Sequence, residues 1–205
     1  MDRTTVVAVL IAIVFFVMIL PVDSTTEIVP EEQTVEVNSV WDVHYFTVNR
    51  EDVTLGRLLG RGEGFWCIFD RDWSWGGPPQ VGDQTDYFGF HAEAQIHVSA
   101  ESEVHFEIGS DDYSELYVDD QLVLSIRQPG SVFGGPFQET DVSLRLPPGF
   151  HKLTLGFYEL EGTAHCSFST DPDVTRWTET TTVNKTVRHP VLMFQKLRDL
   201  LVGTG

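Results

Sequence analysis

The sequence predicts an all-β fold: an antiparallel β-sandwich of the jelly-roll kind, with an apolar N-terminal helix and a short C-terminal helix as appendages. Three observations predict it. Between residues 41 and 172, about nine short segments alternate apolar and polar residues with the period of two that marks a half-buried strand. Gly, Pro and Asp cluster between those segments, where reversing chains need them. No stretch of that interval carries the 3.6-residue period of an amphipathic helix, and no internal repeat is present.

The totals agree. A chain of 205 residues is enough for one domain of ordinary size with appendages. Its 41% hydrophobic and 12% aromatic content is that of a globular protein. The net charge of −18 comes from 31 acids against 13 Lys and Arg. A surface this negative repels phosphate backbones and anionic headgroups, which excludes nucleic acid as a partner. It suits divalent cations, sugar-rich surfaces or a salty medium, and a generally acidic halophilic surface would look the same.

Taken in order, residues 1–23 read as a membrane-spanning signal anchor. Val6 to Leu20 is unbroken apolar sequence closed by Pro21. At about 1.5 Å per residue, a helix from Thr4 to Val22 nearly matches the hydrocarbon thickness. No small-x-small cleavage site follows, which favours an uncleaved anchor over a removable signal peptide. Arg3 precedes the run, while Asp23, Glu27, Glu31 and Glu32 follow it. The positive-inside rule then places the bulk of the chain on the extracellular side, and cleavage would make it secreted. Residues 24–40 are polar and read as a spacer.

The sandwich is expected over 41–172. Trp41 to Val48 alternates as a strand, and Phe65 to Phe69 reads as a buried one. Asp70 to Asp86 is a loop with Trp73 and Trp75 among glycines and prolines. Tyr87–His91 and Gln95–Val98 are further short strands. Phe106 to Leu124 then reads as strand, acidic corner at Asp111 and Asp112, strand, tight turn at Asp119–Gln121, and strand. Gln128 to Pro136 is a Gly/Pro loop. Val142, Leu144 and Leu146 alternate, Pro147–Gly149 turns the chain, and Leu153, Leu155 and Phe157 form a strong strand. An acidic turn from Glu159 leads into Ala164, Cys166 and Phe168. Residues 173–205 are a Thr-rich extended tail and a short amphipathic helix opening at His189–Pro190. Val191, Phe194, Leu197 and Leu201 share one helix face, which fits capping of the sandwich as well as a partner or membrane surface.

Three pieces of the central region, in order, resemble the PA14 domain of toxins, glycosidases and fungal adhesins. They are Phe106-Glu-Ile-Gly-Ser-Asp-Asp112, Glu115-Leu-Tyr-Val-Asp119, and Pro148-Gly-Phe-His-Lys-Leu-Thr-Leu-Gly-Phe-Tyr-Glu159. The resemblance covers roughly residues 87–168. Asp120 departs from it, standing where the family usually has a turn glycine. The resemblance implies that Asp111 and Asp112 are joined by a cis peptide and bind calcium, which in turn holds sugar hydroxyls. Glu159 and Glu161 occupy the place of a second ligand loop, where adhesins often carry asparagine. Calcium takes six to eight oxygen ligands, leaving places for vicinal hydroxyls. Family members that bind no sugar use the first aspartate to cap a turn, and that alternative stays open.

Other chemistry is sparse. The seven histidines lack metal-motif spacing. There is no Gly-x-Ser-x-Gly elbow, P-loop or dinucleotide fingerprint, and although a pair such as Asp70 with Asp72 has the groups for glycoside hydrolysis, nothing sets one acid apart as the proton donor. The reading is therefore not an enzyme. Trp73 and Trp75 offer flat faces for sugar rings, or pack beneath their loop. Cys67 and Cys166 lie in apolar strand contexts and fit a disulfide or two buried thiols. Asn184 heads a glycosylation sequon. The function read from the sequence is a cell-surface binding module, calcium-dependent and glycan-directed. The alternative is a structural surface protein making protein–protein contacts.

Overall fold

The computed structural model describes residues 16–17, 20–62, 64–127 and 136–202. Strands dominate them, in the order β1 (Pro21–Asn38), β2 (Val40–Asn49), β3 (Thr54–Arg61), β4 (Phe65–Trp66), β5 (Phe69–Ser74), β6 (Phe88–Val98), β7 (Ser102–Ser110), β8 (Tyr113–Val118), β9 (Gln121–Arg127), β10 (Gln138–Leu146), β11 (Gly149–Glu159), β12 (Ala164–Thr170) and β13 (Arg176–Leu192). Short 3-10 turns lie at Pro79–Val81 and Pro172–Thr175, and one α-helix, α1, spans Met193–Val202. The chain divides into two compact units, Glu36–Glu179 and Met1–Val35 with Thr180–Gly205.

The Glu36–Glu179 unit is an antiparallel sandwich. Its four-stranded sheet runs β10-β7-β12-β5, and its seven-stranded sheet runs β3-β2-β6-β11-β8-β9 with β4 added beside β2. The inward residues are those the alternation singles out. Phe88, Phe90, Ala92, Ala94, Ile96 and Val98 bury one face of β6, while Val104, Phe106 and Ile108 bury one face of β7. Aromatic rings fill the space between the sheets. Trp41 meets Phe168 edge-on at 5.1 Å, and Phe90 stacks on Phe157 at 5.2 Å. Burying one such side chain contributes roughly 1.5–3 kcal/mol, and the aromatic pairings add specificity to it. The Trp41 indole N–H donates to the Cys67 carbonyl at 2.8 Å, so the largest core residue carries no unpaired donor.

In the other unit, β1 and β13 pair as a two-stranded ribbon. Exposed ion pairs cross it, Lys185–Glu31 at 3.0 Å and His189–Glu27 at 3.2 Å. The Met193 amide at the start of α1 donates to the Leu20 carbonyl, and Lys196 pairs with Asp23 at 2.7 Å.

Several expectations change. Most of the anchor, and residues 128–135 of the Gly/Pro loop, lie outside the described residues. Pro21 and Val22, expected to close the anchor helix, are strand. Among the described residues no helix is long and apolar enough to cross a membrane. The 24–40 stretch is strand through Asn38, because its β-branched residues find a partner in β13. The tail helix begins at Met193, and His189–Leu192 extend β13 instead. The run Phe65–Phe69 is broken at Cys67–Ile68, leaving Trp66 at 67% exposure. The two strands expected in 87–98 are a single one, since Ala92 and Ala94 continue the inward alternation. β3 was not foreseen; its two glycines dilute the pattern.

Candidate functional site

The topology creates the acidic corner. β7 belongs to the four-stranded sheet and β8 to the seven-stranded one, so Asp111 and Asp112 are where the chain crosses between sheets. Leu160–Thr163 make the return crossing from β11 to β12. Register brings the two crossings side by side: Ser110 pairs with Cys166, and Tyr113 pairs with Tyr158. Glu159 closes β11 on its inward face.

The crossings tie themselves together. The Asp111 amide donates to the His165 carbonyl at 2.9 Å, and Asp111 Oδ2 accepts from the Thr163 hydroxyl at 2.5 Å. Asp112 Oδ2 accepts the Leu160 amide at 2.7 Å. A third segment joins them, with Asp86 Oδ1 accepting from the Gly162 amide at 3.2 Å. Glu161 turns outward, accepting the Tyr87 hydroxyl and pairing with Arg50 at 3.3 Å.

What remains unpaired is concentrated here. Asp111 and Asp112 are 3% and 5% exposed and Glu159 is 0% exposed. Asp111 Oδ1 and the hydroxyls of Ser110 and Ser114 are buried without a hydrogen-bond partner, and the buried Glu159 carboxyl has none beyond a proton shared with the Asp112 carboxylate. Buried polar atoms are nearly always satisfied, so orphan oxygens gathered in one place need an explanation. Burial first, and then the charges of Asp112, Asp111 and Asp86, push the Glu159 pKa up to about 9. Burial also raises Asp112, with the Asp111 charge adding to it against the Leu160 hydrogen bond.

The donors are all hard oxygens, which fit calcium chemically. They are not assembled around a point: among the described residues, no three His, Cys, Asp or Glu side chains are placed to hold a metal ion. The Asp111–Asp112 peptide is trans, a correction to the cis bond implied by the resemblance, and Asp112 takes φ 78 instead. Aspartate tolerates that left-handed conformation better than most residues.

The remaining sequence candidates lie apart. Trp73 is partly buried and packs on Phe88 at 6.4 Å and Phe157 at 5.8 Å, against the edge of the core. Trp75 is 72% exposed. Cys67 and Cys166 are buried free thiols, not a disulfide. Asn184 is exposed on β13. Asp70 pairs with His165 at 2.5 Å, while Asp72 accepts from the Ser74 amide and hydroxyl. Sequence reasoning missed Asp86, Thr163 and the two serines. Asp86 closes a loop with no period of its own, and only the Ser110-Asp111-Asp112 adjacency hinted at a serine role.

No protein-family model and no curated protein matches this sequence. Solved structures do. An anti-sigma factor domain-containing protein from Clostridium clariflavum matches with a TM-score of 0.51 at 16% identity, over 74% of this chain and 47% of its own. This chain therefore spans about half the length of that protein. The PA14 domain of the MpAFP antifreeze protein matches with a TM-score of 0.45 at 11% identity, over 68% of this chain and 84% of its own. The Epithelial Adhesin 6 A domain from Candida glabrata, solved in complex with Galb1-3GlcNAc, matches with a TM-score of 0.45 at 10% identity, over 68% and 81%. At such identities likeness concerns fold alone. Only the first of these likenesses bears on the fold, and it shows a sandwich shared with part of that protein.

Proposed function

We propose that this protein is an exported binding module whose acidic corner takes calcium and, through it, a glycan. One observation carries the reading: buried, unpartnered oxygens of Asp111, Ser110 and Ser114 lie with the buried Glu159–Asp112 carboxyl pair where the two sheet crossings meet. Such atoms are satisfied by protons on the carboxylates or by a bound cation. Asp111, Asp112 and Glu159 would hold the ion, with Glu161 and Asp86 at the rim. Bound calcium would supply open coordination places for vicinal hydroxyls. The protein's own part is to hold Asp112 through the Leu160 amide and Asp111 through the Thr163 hydroxyl, which keeps both carboxylates at the corner.

A second reading, a structural surface module without metal or sugar, is favoured by those same two hydrogen bonds. They make the aspartates adequate turn formers without any ligand.

Thermal melting of the full chain in EDTA and then in millimolar calcium, at fixed ionic strength, separates the two. A ligand that binds only the folded state at 100 times its Kd adds about 2.7 kcal/mol. The expected result is a rise that magnesium does not reproduce and that Asp111→Ala abolishes. An unchanged melt would leave the structural reading. Glycan binding in calcium, lost in a folded Asp112→Ala variant, tests the second half.

A further inference from the structure

The outward face of the seven-stranded sheet carries a groove that the corner's chemistry does not use. Along β8 the outward residues are Tyr113, Glu115 and Tyr117, facing Tyr158, Gly156 and Thr154 of β11 in register. Gly156 is the exception among side chains. Because it has none, the Tyr158 ring lies down along its own strand. A Cβ at position 156 would stand 3.2 Å from Cε2 and 3.3 Å from Oη of that ring. The ring rests on backbone and leaves its other face to the groove.

Clefts open on both sides of it. One, of about 600 Å³, lies between Tyr113, Tyr158, Glu115 and Arg127, with Asp52–Thr54 as its far wall. The other, of about 360 Å³, extends past Tyr117 toward Lys152 and His91, and Tyr158 and Glu115 border both. The polar rim is tied into ion pairs and carries an excess of carboxylates. Glu115 accepts the Tyr117 hydroxyl at 2.8 Å and pairs with Arg127. Lys152 pairs with Glu93 at 2.8 Å and lies 3.5 Å from Asp120. Each cation already faces a carboxylate and the carboxylates outnumber the cations, so the groove turns anions away and keeps carboxylate oxygens free to accept hydroxyls. It offers positioned donors and acceptors beside a flat apolar ring. That is the complement of a neutral, hydroxyl-rich ring with a C–H face. Val53 at the lip has φ 53, a conformation β-branched residues avoid, and strain of this kind collects at ligand sites.

We infer that this groove binds a neutral oligosaccharide, with Tyr158 as its stacking floor and the Glu115–Arg127 pair as its hydroxyl-binding edge. Space on both sides of one plate fits a linear chain of sugar units. The site needs no metal and does not depend on the reading of the acidic corner.

The test is calorimetric titration of the full chain, in EDTA, with neutral tri- to hexasaccharides of glucose, mannose, xylose and galactose. At least one binds with EDTA present. Tyr158→Ala weakens it about tenfold or more, Tyr158→Phe stays within about threefold, and Asp112→Ala changes nothing. Should Tyr158→Ala fail to fold, Glu115→Gln decides the matter through a loss of about fivefold. The inference is overturned if no sugar binds in EDTA, or if folded Tyr158→Ala binds like the parent. Binding that appears only with calcium and vanishes in Asp112→Ala would overturn the groove and support the corner. Binding in EDTA lost with Tyr158, in a protein whose melt ignores calcium, would do the reverse.

Discussion

Asp119 holds His151 by one carboxylate oxygen and the start of the neighbouring strand by the other. Oδ2 lies 2.7 Å from His151 Nδ1, and Oδ1 accepts the Lys152 amide at 3.0 Å. His151 Nε2 lies 2.9 Å from the Pro147 carbonyl. Both partners of the ring are acceptors only, so the doubly protonated imidazolium is the form that satisfies both. Burial alone would push the His151 pKa down, but the Asp119 carboxylate and the Pro147 carbonyl raise it overall. The clasp pins the β8–β9 turn, where Asp119 and Asp120 take φ 50 and 63, the left-handed pair of a two-residue hairpin.

The clasp gives a pH-dependent prediction. A histidine whose folded pKa is raised contributes stability that is fully present below its unfolded pKa of about 6.5 and lost as pH rises through the folded value. Asp119→Ala is expected to cost about 1–3 kcal/mol at pH 5.5 and distinctly less at pH 8.5. Urea melts of parent and variant at the two pH values measure it. An equal loss at both would remove the imidazolium from the account.

Glu159 predicts a slope of the same sign over a wider window. Its folded pKa of about 9 lies above the unfolded value. Its contribution is complete below about pH 4.5 and is lost as pH rises toward 9, at about 1.4 kcal/mol per pH unit at most. Glu159→Gln carries no ionisable group and flattens the slope in EDTA. Melting temperature against pH for both proteins is the check, and parallel curves would contradict it.

Calcium and protons compete for the same oxygens under the proposed function, since carboxylates bind a cation only when ionised. The calcium-induced rise in melting temperature is therefore expected to be several times larger at pH 8 than at pH 5.5. A rise independent of pH would move the ion away from Glu159.

Gly89 sits in β6, where a Cβ would collide with the Phe157 carbonyl and crowd Leu55 and Val48 at 3.1 Å. Gly89→Ala forces β6 and β11 apart and is expected to cost about 1–3 kcal/mol or more. Chemical denaturation reads this directly. A neutral result would mean that the two central strands shift apart freely.

Legibility followed the period of two. Where large residues alternate on a buried face, as in Val104, Phe106 and Ile108 or Leu153, Leu155 and Phe157, alternation marked the strand, whereas the small Ala92 and Ala94 hid the middle of β6. Where exposure is uniform the signal vanished. β1 and β13 have few buried positions, and only their pairing with each other makes them strands. The paired aspartates were legible as a corner because two acids interrupt a strand. Their partners were not, because Asp86 and Thr163 become neighbours through the sheet crossings and no local pattern announces them. Tyr158 was readable only as part of a motif; its posture depends on Gly156, whose missing side chain acts two positions away.

The corner's bonds close long stretches of chain: Asp112 reaches Leu160 across 48 residues, Asp111 reaches Thr163 across 52, and Asp86 reaches Gly162 across 76. Closing loops of that length before the sheets exist has an entropic cost with nothing to offset it. The corner is therefore among the last features to form during folding. An ion bound there under the proposed function would find its site only on finished chains, and would act as a seal that slows the first step of their unfolding.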